Sequence, residues 1–289
     1  MAQLCLGTVQ FGMNYGIQEN GQPSLSKALE ILNTAYAAGI RNYDTAASYG
    51  SAEAVLNVFL SQSSVKPENV RIISKTKSAD ERMKLDVEQT LRNLGLSYLN
   101  GCLLHDANLI FNERAVNNLK SLKENGISKE IGISVYTPEQ AVKSLDYDFI
   151  DIIQVPYNVL DRRLDKCNFF ENAKKSGMTV YVRSVLLQGL LMINADELSD
   201  HMKFAEPYVR KFQDICNKNE IGYFEGAVGY VLNHEDIDFL VFGVDNLSQL
   251  NDYISLYNNS KTLDNSYIFS SVFENVDEKV IMPNLWNER

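Results

Sequence analysis

The sequence contains few cysteines and histidines, and their spacing excludes the usual metal and disulfide patterns. Among its 289 residues there are 4 cysteines and 3 histidines. No CxxC pair occurs, and the cysteines form no metal-like cluster with the histidines. Neither a zinc site nor a disulfide framework is therefore expected. We expect no metal site, and reduced, mostly buried thiols at Cys5, Cys102, Cys167 and Cys216.

A surplus of positive charge and a long apolar run are also absent. The 37 acidic and 27 basic residues give a net charge of −10, which opposes sequence-independent binding to nucleic acid or to an anionic membrane. No run approaches the roughly 18 apolar residues of a membrane span, and the first residues do not resemble a signal peptide. We expect a cytoplasmic protein that binds a small molecule. No coiled-coil heptad or repeated apolar edge is visible, so a monomer is the default.

Short β-rich apolar runs alternate with segments of helical periodicity. In residues 25–39 and 86–95, apolar side chains recur at three- and four-residue steps and a glycine follows, which is typical of amphipathic helices. Alternating strands and helices predict a parallel sheet, and eight such units can close into a barrel. The eight candidate strands are 4–7, 41–44, 71–75, 101–105, 130–134, 148–155, 178–184 and 238–244.

The alternative topology is an open, doubly wound sheet. Such a sheet usually carries a GxGxxG motif at the start of its first helix, and that motif is missing here. We therefore predict a (β/α)8 TIM barrel of the α/β class, with a single domain over residues 1–289. The strand-free region 188–237 is expected to contain a loop and the seventh helix. The tail from about 257 onward, which includes Trp286, is expected to fold back over the barrel, where Trp286 could cover a pocket or seal the bottom.

Four chemically active side chains fall at or just after predicted strand ends, where the loops of a barrel converge on one site. They are Asp44, Tyr49, Lys75 and His105. Tyrosine is the natural acid, but its pKa near 10 requires a neighbouring cation to favour the phenolate. Lys75 fits that role and Asp44 can keep the lysine charged. His105 could donate a hydrogen bond to a substrate oxygen.

Ordered motifs along nearly the whole chain resemble the aldo/keto reductase family. They are LGTVQFG at 6–12, YDTAASYGSAE at 43–53, SKTK at 74–77, LLHD at 103–106, GISVYTPEQ at 132–140, QVPYNVLDRR at 154–163 and RSVLLQGLL at 183–191. The resemblance implies an NAD(P)H-dependent oxidoreductase that reduces an aldehyde or ketone to an alcohol. It also implies that Asp44, Tyr49, Lys75 and His105 match the catalytic tetrad, with Tyr49 as general acid.

The resemblance further implies an extended nicotinamide cofactor across the barrel mouth. In the family, the positions of Ser134 and Gln154 hold the carboxamide, and the side chain at position 183 packs against the nicotinamide ring. Residues 187–189 would line the pyrophosphate. The full set of cofactor candidates is Gly7, Thr8, Asp44, Ser134, Gln154, Arg183, Ser184, Leu187, Gly189, Gly243, Asp245 and Gln249.

Two departures from the family pattern concern the cofactor. The frequent Ser-Asn pair reads Ser134-Val135, so one hydrogen bond to the carboxamide is missing. Residues 243–253, where the family often places Lys or Arg against the 2′-phosphate of NADP, contain no basic residue. A 2′-phosphate would meet Asp245, whereas the hydroxyls of NAD can hydrogen-bond to an acid. The cofactor is NADP or NAD, and this loop favours NAD.

The substrate pocket is expected to include Phe11 together with Tyr49 and His105. A sugar-like carbonyl substrate is suggested by polar side chains expected near the mouth, namely Asn14, Asn108 and Asn158.

Two other functions stay open. Lys75 could form a Schiff base in an aldolase-type barrel, although a carboxylate partner would keep it protonated. The chain could also be a non-catalytic nicotinamide-binding sensor or regulatory subunit of the same fold.

Overall fold

Eight short strands form a closed parallel barrel in the computed structural model, which describes residues 1–17, 21–259, 266–269 and 272–286. Each strand pairs with its neighbours in sequence, and β1 closes the barrel against β8. The strands are β1 Gln3–Gly7, β2 Asn42–Asp44, β3 Arg71–Thr76, β4 Leu99–Leu104, β5 Ser128–Ser134, β6 Ile152–Pro156, β7 Thr179–Arg183 and β8 Phe239–Phe242. The predicted barrel is therefore confirmed, and each of the eight predicted runs overlaps a strand.

One predicted strand begins too early. The run 148–155 starts before β6, because the Asp151 carboxylate accepts the backbone N–H of Ile131 at 3.0 Å and the ammonium of Lys123 at 2.6 Å. These contacts tie the segment before Ile152 to the neighbouring strand and helix through a side chain. Regular strand pairing of β6 with β5 then starts at Ile152.

The helices lie between and beyond the strands. They are α1 Val9–Gly12, α2 Leu25–Ala37, α3 Ala52–Leu60, α4 Arg82–Leu94, α5 Glu113–Glu124, α6 Pro138–Ser144, α7 Phe169–Lys175, α8 Glu206–Lys218, α9 Tyr223–Leu232, α10 Leu247–Asn259, α11 Ser266–Phe269 and α12 Glu278–Ile281. The two helices expected from periodicity correspond to α2 and α4. Gly95 ends α4 in the left-handed conformation at φ 68°, which glycine adopts without steric cost.

The expectation of one helix in region 188–237 was wrong. This region holds α8 and α9 as well as short 3₁₀ segments. The break between the two helices follows from local residues, because Glu220 has a positive φ of 57° and Gly222 is the extended N-cap of α9. Among the described residues, no helix is long and apolar enough to cross a membrane.

Side chains inside the barrel form a core of their own, separate from the larger core between strands and helices. The inner core consists of Cys5, Ile73, Leu103, Ile152 and Tyr181. It is tightly filled at β4, since a Cβ at Gly101 would lie 2.6 Å from Ile73 Cδ1 and 2.7 Å from Ile152 Cδ1. The barrel is thus a packed core and not a pore.

Alternation along the strands carries polar residues from this core to the barrel mouth. Successive side chains of a strand point to opposite faces, so a residue two positions further on shares the same face. Two residues beyond the inner core, toward the carboxyl ends of the strands, lie Lys75 in β3, His105 just after β4, Gln154 in β6 and Arg183 in β7. A shared period of two therefore brings residues from distant parts of the sequence to one end of the barrel.

The described part of the tail packs against the helical shell. Phe269 is fully buried and stacks on Phe212 of α8 with ring centroids 5.6 Å apart. Trp286 is 9% exposed, and its indole N–H donates to the Lys279 carbonyl at 2.6 Å. Trp286 is not among the residues that line the large cavity beside Tyr49, so it does not form a wall of that cavity. Other positions of the tail, 260–265, 270–271 and 287–289, lie outside the described residues.

Candidate active site

Asp44 and Lys75 form a buried ion pair at the carboxyl ends of β2 and β3. Lys75 Nζ lies 2.7 Å from Asp44 Oδ1 and 2.6 Å from Oδ2, and the side chain of Lys75 is 1% exposed and that of Asp44 5%. Burial has the largest single effect and would lower the pKa of Lys75, but the attraction and hydrogen bonds of Asp44 and Tyr49 together outweigh it and raise the pKa above its usual value. Lys75 is therefore an ammonium at neutral pH.

Tyr49 lies beside this ammonium. Its Oη is 3.4 Å from Lys75 Nζ, although part of the Tyr49 side chain stays accessible to solvent. Burial raises the pKa of Tyr49 above its usual value of 10, and Lys75 acts in the opposite direction without cancelling it. The sequence suggested that Lys75 would dominate; the structure shows that burial has the larger effect. Tyr49 is thus protonated at neutral pH, the form that can donate to a carbonyl oxygen.

A close approach between two backbone segments positions the Tyr49 loop. The Ser51 N–H donates to the Gly12 carbonyl at 3.2 Å. A Cβ built on Gly12 would lie only 1.7 Å from the carbonyl oxygen of Tyr49, so no larger residue fits without moving one of the two chains. This role of Gly12 has no signal in the sequence, because it depends on how α1 meets the loop after β2.

His105 completes the group of four. Its backbone N–H donates to the Thr76 carbonyl at 2.8 Å, and its ring meets that of Tyr49 edge to face with centroids 5.8 Å apart. Nδ1 lies 3.2 Å from Ser48 Oγ. Burial, together with nearby cations, lowers the pKa of His105 to about 3. At neutral pH the imidazole is uncharged and can donate a hydrogen bond, but it is not an acid.

A cavity of about 390 Å³ opens beside Tyr49 and extends to α10. Ten of the twelve cofactor candidates line it, whereas Ser134 and Leu187 do not. Its wall consists of Gly7, Thr8, Val9, Gln10, Tyr15, Gly16, Asp44, Tyr49, Gln154, Arg183, Ser184, Val185, Leu186, Gln188, Gly189, Met192, Phe224, Val241, Phe242, Gly243, Asp245, Gln249, Asp252 and Tyr253. The cavity therefore joins the ion pair to the loops after β1, β7 and β8.

The residues expected to hold a carboxamide are linked to the ion pair. Gln154 Nε2 donates to Asp44 Oδ1 at 2.7 Å, and Ser134 Oγ donates to Gln154 Oε1 at 3.2 Å. The Arg183 guanidinium lies 4.4 Å from the centre of the Tyr136 ring and donates to the Val135 carbonyl at 2.8 Å. Val135 thus contributes its backbone oxygen to holding Arg183 in place. Arg183 still faces the cavity, where a cofactor ring could contact it.

The loop after β7 differs from the expectation for Leu187. Its side chain is fully buried, and its backbone N–H already donates to the Ser184 carbonyl at 3.1 Å. The Gly189 N–H likewise donates to Leu186 at 3.0 Å. The physical cause is a tight turn with positive φ at Ser184, Leu187, Gln188 and Gly189. Leu187 therefore offers the cavity neither its side chain nor its backbone donor.

The loop after β8 contributes acidic side chains to the far end of the cavity. Asp245 and Asp252 both line it. The Asp245 N–H donates to Gln249 Oε1 at 2.7 Å, and the Gln249 N–H donates to Asn246 Oδ1 at 3.0 Å. These bonds fix the start of α10 and use the backbone N–H of Asp245, just before the helix, and that of Gln249, in its first turn. No basic residue lies between 243 and 253, so this segment brings no cationic side chain to this end of the cavity.

Of the residues expected at the substrate pocket and its mouth, Tyr49 lines the cavity, whereas five are not among its lining residues, namely Phe11, Asn14, His105, Asn108 and Asn158. Phe11 is fully buried in the outer core and is not among the residues lining the cavity, because α1 turns its side chain toward the barrel's helical shell. Asn158 is also fully buried, and its Oδ1 accepts the N–H groups of Leu160 and Asp161. Tyr15, which is 42% exposed, lines the cavity instead. Asn158 Nδ2 also donates to the Ser184 carbonyl at 3.0 Å, so the amide of Asn158 is used within the protein and not for a sugar-like substrate.

One polar atom of the cavity wall could accept a hydrogen bond from a nicotinamide dinucleotide. Gln10 Oε1 is buried and has no hydrogen-bond partner within the described part of the chain. Gly243 leaves room for this side chain, since a Cβ there would lie 2.3 Å from Gln10 Oε1. Amide and hydroxyl groups of such a cofactor could donate to this oxygen. Within the described ranges, no group of three or more acidic, histidine or cysteine side chains is arranged to hold a metal ion.

Comparisons with known proteins agree with this arrangement. The model of the aldo/keto reductase family matches residues 3–268. The NADH-specific methylglyoxal reductase of Escherichia coli strain K12 is 22% identical over 301 residues, covering 89% of this chain and 90% of the relative. The L-glyceraldehyde 3-phosphate reductase of Escherichia coli O157:H7 is 27% identical over 191 residues, covering 58% of this chain and 55% of the relative.

A solved structure has the same fold. The holo form of an aldo-keto reductase from Bacillus halodurans superimposes with a TM-score of 0.71 at 19% sequence identity, covering 96% of this chain and 94% of that one. At this level of identity the likeness establishes the barrel and its connectivity only.

Proposed function

The chain belongs to the aldo/keto reductase family, and on that premise we propose that it reduces an aldehyde or ketone to an alcohol with a nicotinamide cofactor and Tyr49 as proton donor. One observation carries the proposal. A protonated phenol lies 3.4 Å from a buried ammonium at the wall of a cavity large enough for part of a dinucleotide. Such a phenol can give up its proton because the ammonium stabilises the phenolate that forms.

The residues divide the work of proton transfer among them. A bound reduced nicotinamide supplies a hydride to the carbonyl carbon. Tyr49 Oη gives its proton to the carbonyl oxygen, which completes the alcohol. Lys75 stabilises the resulting phenolate, and Asp44 keeps Lys75 charged. The neutral imidazole of His105 donates a hydrogen bond to the same oxygen and stabilises the negative charge that develops there.

The geometry supports this proposal better than the aldolase alternative. A Schiff-base lysine must lose its proton before it can attack a carbonyl. The pKa of Lys75 is raised by Asp44 despite burial, so the unprotonated amine is scarce at neutral pH. The sensor alternative would use the same cavity without turnover, and it is separated from an enzyme by an activity measurement.

We further propose that the cofactor is NADH in preference to NADPH. Asp245 and Asp252 at the α10 end would repel a 2′-phosphate, whereas a carboxylate can accept hydrogen bonds from the ribose hydroxyls of NADH. The NADH-specific name of the methylglyoxal reductase relative agrees with this choice.

Dissociation constants for both cofactors, measured by fluorescence titration at fixed salt, test the preference. The Asp245→Arg variant should shift the ratio at least about tenfold toward NADPH, because an attraction replaces a repulsion. Asp214→Arg is the matched control, since Asp214 is exposed on α8, away from the cavity. Tenfold tighter binding of NADPH by the wild type would contradict the proposal.

The substrate class is tested by a screen of cofactor oxidation. Small aldehydes, sugar aldehydes and sugar ketones are presented with NADH and NADPH in parallel, with methylglyoxal and glyceraldehyde 3-phosphate included because two relatives carry those names. We expect oxidation with at least one small carbonyl compound. If both cofactors bind but no carbonyl compound is reduced, the sensor alternative replaces the reductase.

A further inference from the structure

Ser48 stands directly before Tyr49 and touches His105. Its Oγ lies 3.2 Å from His105 Nδ1, the only hydrogen bond of this hydroxyl within the described ranges. We propose that Ser48 is a positioning residue that donates to Nδ1 and so keeps the single ring proton of His105 on Nε2, where it can be donated to a substrate carbonyl. The assignment of the ring proton and its catalytic consequence both rest on the proposed function, whereas the measurement of the His105 tautomer does not.

His105 carries one ring proton at neutral pH. Burial, together with the charges of Lys75, Lys77 and Arg183, lowers its pKa to about 3. A neutral imidazole has one N–H donor and one lone-pair acceptor, and the bond made by one nitrogen determines which form is present. The partner of Nδ1 therefore sets the function of Nε2.

The contacts of His105 show which ring nitrogen faces Ser48. The backbone of His105 is tied to Thr76 by an N–H to carbonyl bond of 2.8 Å, and the ring plane stands at 86° to that of Tyr49. The 3.2 Å contact with Ser48 Oγ identifies the edge of the imidazole that carries Nδ1. Nε2 lies on the far edge of the ring, and no partner for it is found in the part of the chain that the structure describes. It is the nitrogen available to a ligand.

The contact between Ser48 Oγ and His105 Nδ1 needs one donor, which we assign to Ser48. A serine hydroxyl can donate or accept, so the contact allows a proton on either nitrogen of His105. If Nδ1 held the proton, Nε2 would present a lone pair, which repels a carbonyl oxygen on which negative charge develops. If Ser48 donates, its own proton is satisfied and Nε2–H becomes a second donor beside the Tyr49 hydroxyl. Only this arrangement serves the reduction.

Removal of the Ser48 hydroxyl should let His105 populate both tautomers. The active fraction falls and the donor is less well oriented, so kcat should decrease about fivefold while KM changes little. Ser48→Thr keeps a hydroxyl at an exposed position and should restore both the tautomer and most of kcat. Ser26→Ala is the matched control, because Ser26 is exposed on α2 and its hydroxyl lies 3.1 Å from Ser24 Oγ, away from His105.

Nitrogen NMR of the imidazole rings tests the proposal directly. With 3 histidines in the chain, the His105 signals can be assigned by their loss in His105→Gln. At pH 7 the wild type, Ser48→Thr and Ser26→Ala should show a protonated Nε2 and an unprotonated Nδ1, whereas Ser48→Ala should show exchange-averaged values. A wild-type proton on Nδ1, or an unchanged spectrum in Ser48→Ala, would overturn the proposal.

The kinetic arm separates this inference from the proposed function. A fivefold loss of kcat in Ser48→Ala with recovery in Ser48→Thr supports a positioning role, and equal losses in both variants refute it. If the wild type reduces no carbonyl compound, the proposed function fails. The NMR result still decides whether Ser48 controls the His105 tautomer.

Discussion

Replacing Asp44 by asparagine leaves the buried ammonium of Lys75 without its counterion. Asparagine has nearly the same shape and can still accept the hydrogen bond that Gln154 Nε2 makes at 2.7 Å. The main change is therefore the loss of a charge that lies 2.6 and 2.7 Å from Lys75 Nζ. The expected result is a large loss of stability at neutral pH together with loss of reductase activity.

The size of the effect follows from burial. The Lys75 side chain is 1% exposed and that of Asp44 5%, so water cannot replace the carboxylate. Removing one partner of such a pair typically costs about 3–5 kcal/mol. The exposed Glu171–Lys175 pair, with 62% and 68% exposure, provides a control, since Glu171→Gln should cost less than about 1 kcal/mol.

The pH dependence gives a second signature. In the wild type the pKa of Lys75 is raised, so the stabilisation is fully present below the unfolded-state pKa of about 10.4 and is lost above it. In Asp44→Asn burial dominates and the pKa of Lys75 should fall below 10.4. The variant then becomes more stable as pH rises from 7 to 10, and its deficit relative to the wild type narrows.

Urea denaturation at pH 7 and pH 10, followed by circular dichroism, measures both effects. The double variant Asp44→Asn/Lys75→Met removes the stranded charge and should recover at least half of the lost stability at pH 7. The reasoning is refuted if Asp44→Asn lies within about 1 kcal/mol of the wild type at pH 7, or if its deficit is the same at both pH values.

Two further predictions concern the site. The pH profile of kcat/KM should show no step near pH 6.5, because the pKa of His105 is about 3. The decline of kcat/KM at alkaline pH should lie above pH 10, because burial raises the pKa of Tyr49. A step near pH 6.5 that disappears in His105→Gln would contradict this. Gly12→Ala should lower kcat at least about tenfold in the folded fraction, since its Cβ would lie 1.7 Å from the Tyr49 carbonyl oxygen and displace the acid. An unchanged kcat in steady-state kinetics would exclude the role of Gly12 in positioning Tyr49.

The barrel and the group around Tyr49 could be predicted because both depend on simple periodicities. Strand runs alternate with helices, and a period of two within each strand turns residues such as Lys75 and Gln154 toward the mouth. The ion pair between Asp44 and Lys75 follows once β2 and β3 are neighbours. Sequence therefore suffices where a side chain's position is set by strand register.

Loops and short helices were harder to predict, since their contacts depend on how segments that are distant in sequence pack against one another. The burial of Phe11 follows from the direction in which α1 leaves β1. Leu187 lies in a turn whose positive φ values use the backbone donors internally. The contact of Ser48 with His105 joins two loops that are 57 residues apart. None of these features has a periodic signal in the sequence.

The central claim is that the Tyr49 hydroxyl supplies the proton, and the Tyr49→Phe variant tests it most directly. With the best carbonyl substrate from the screen, kcat/KM should fall by about 10² to 10⁴. The dissociation constant of NADH should stay within about threefold of the wild type, because the phenyl ring keeps its place in the cavity wall. A variant that retains more than about a tenth of wild-type kcat/KM would contradict the claim.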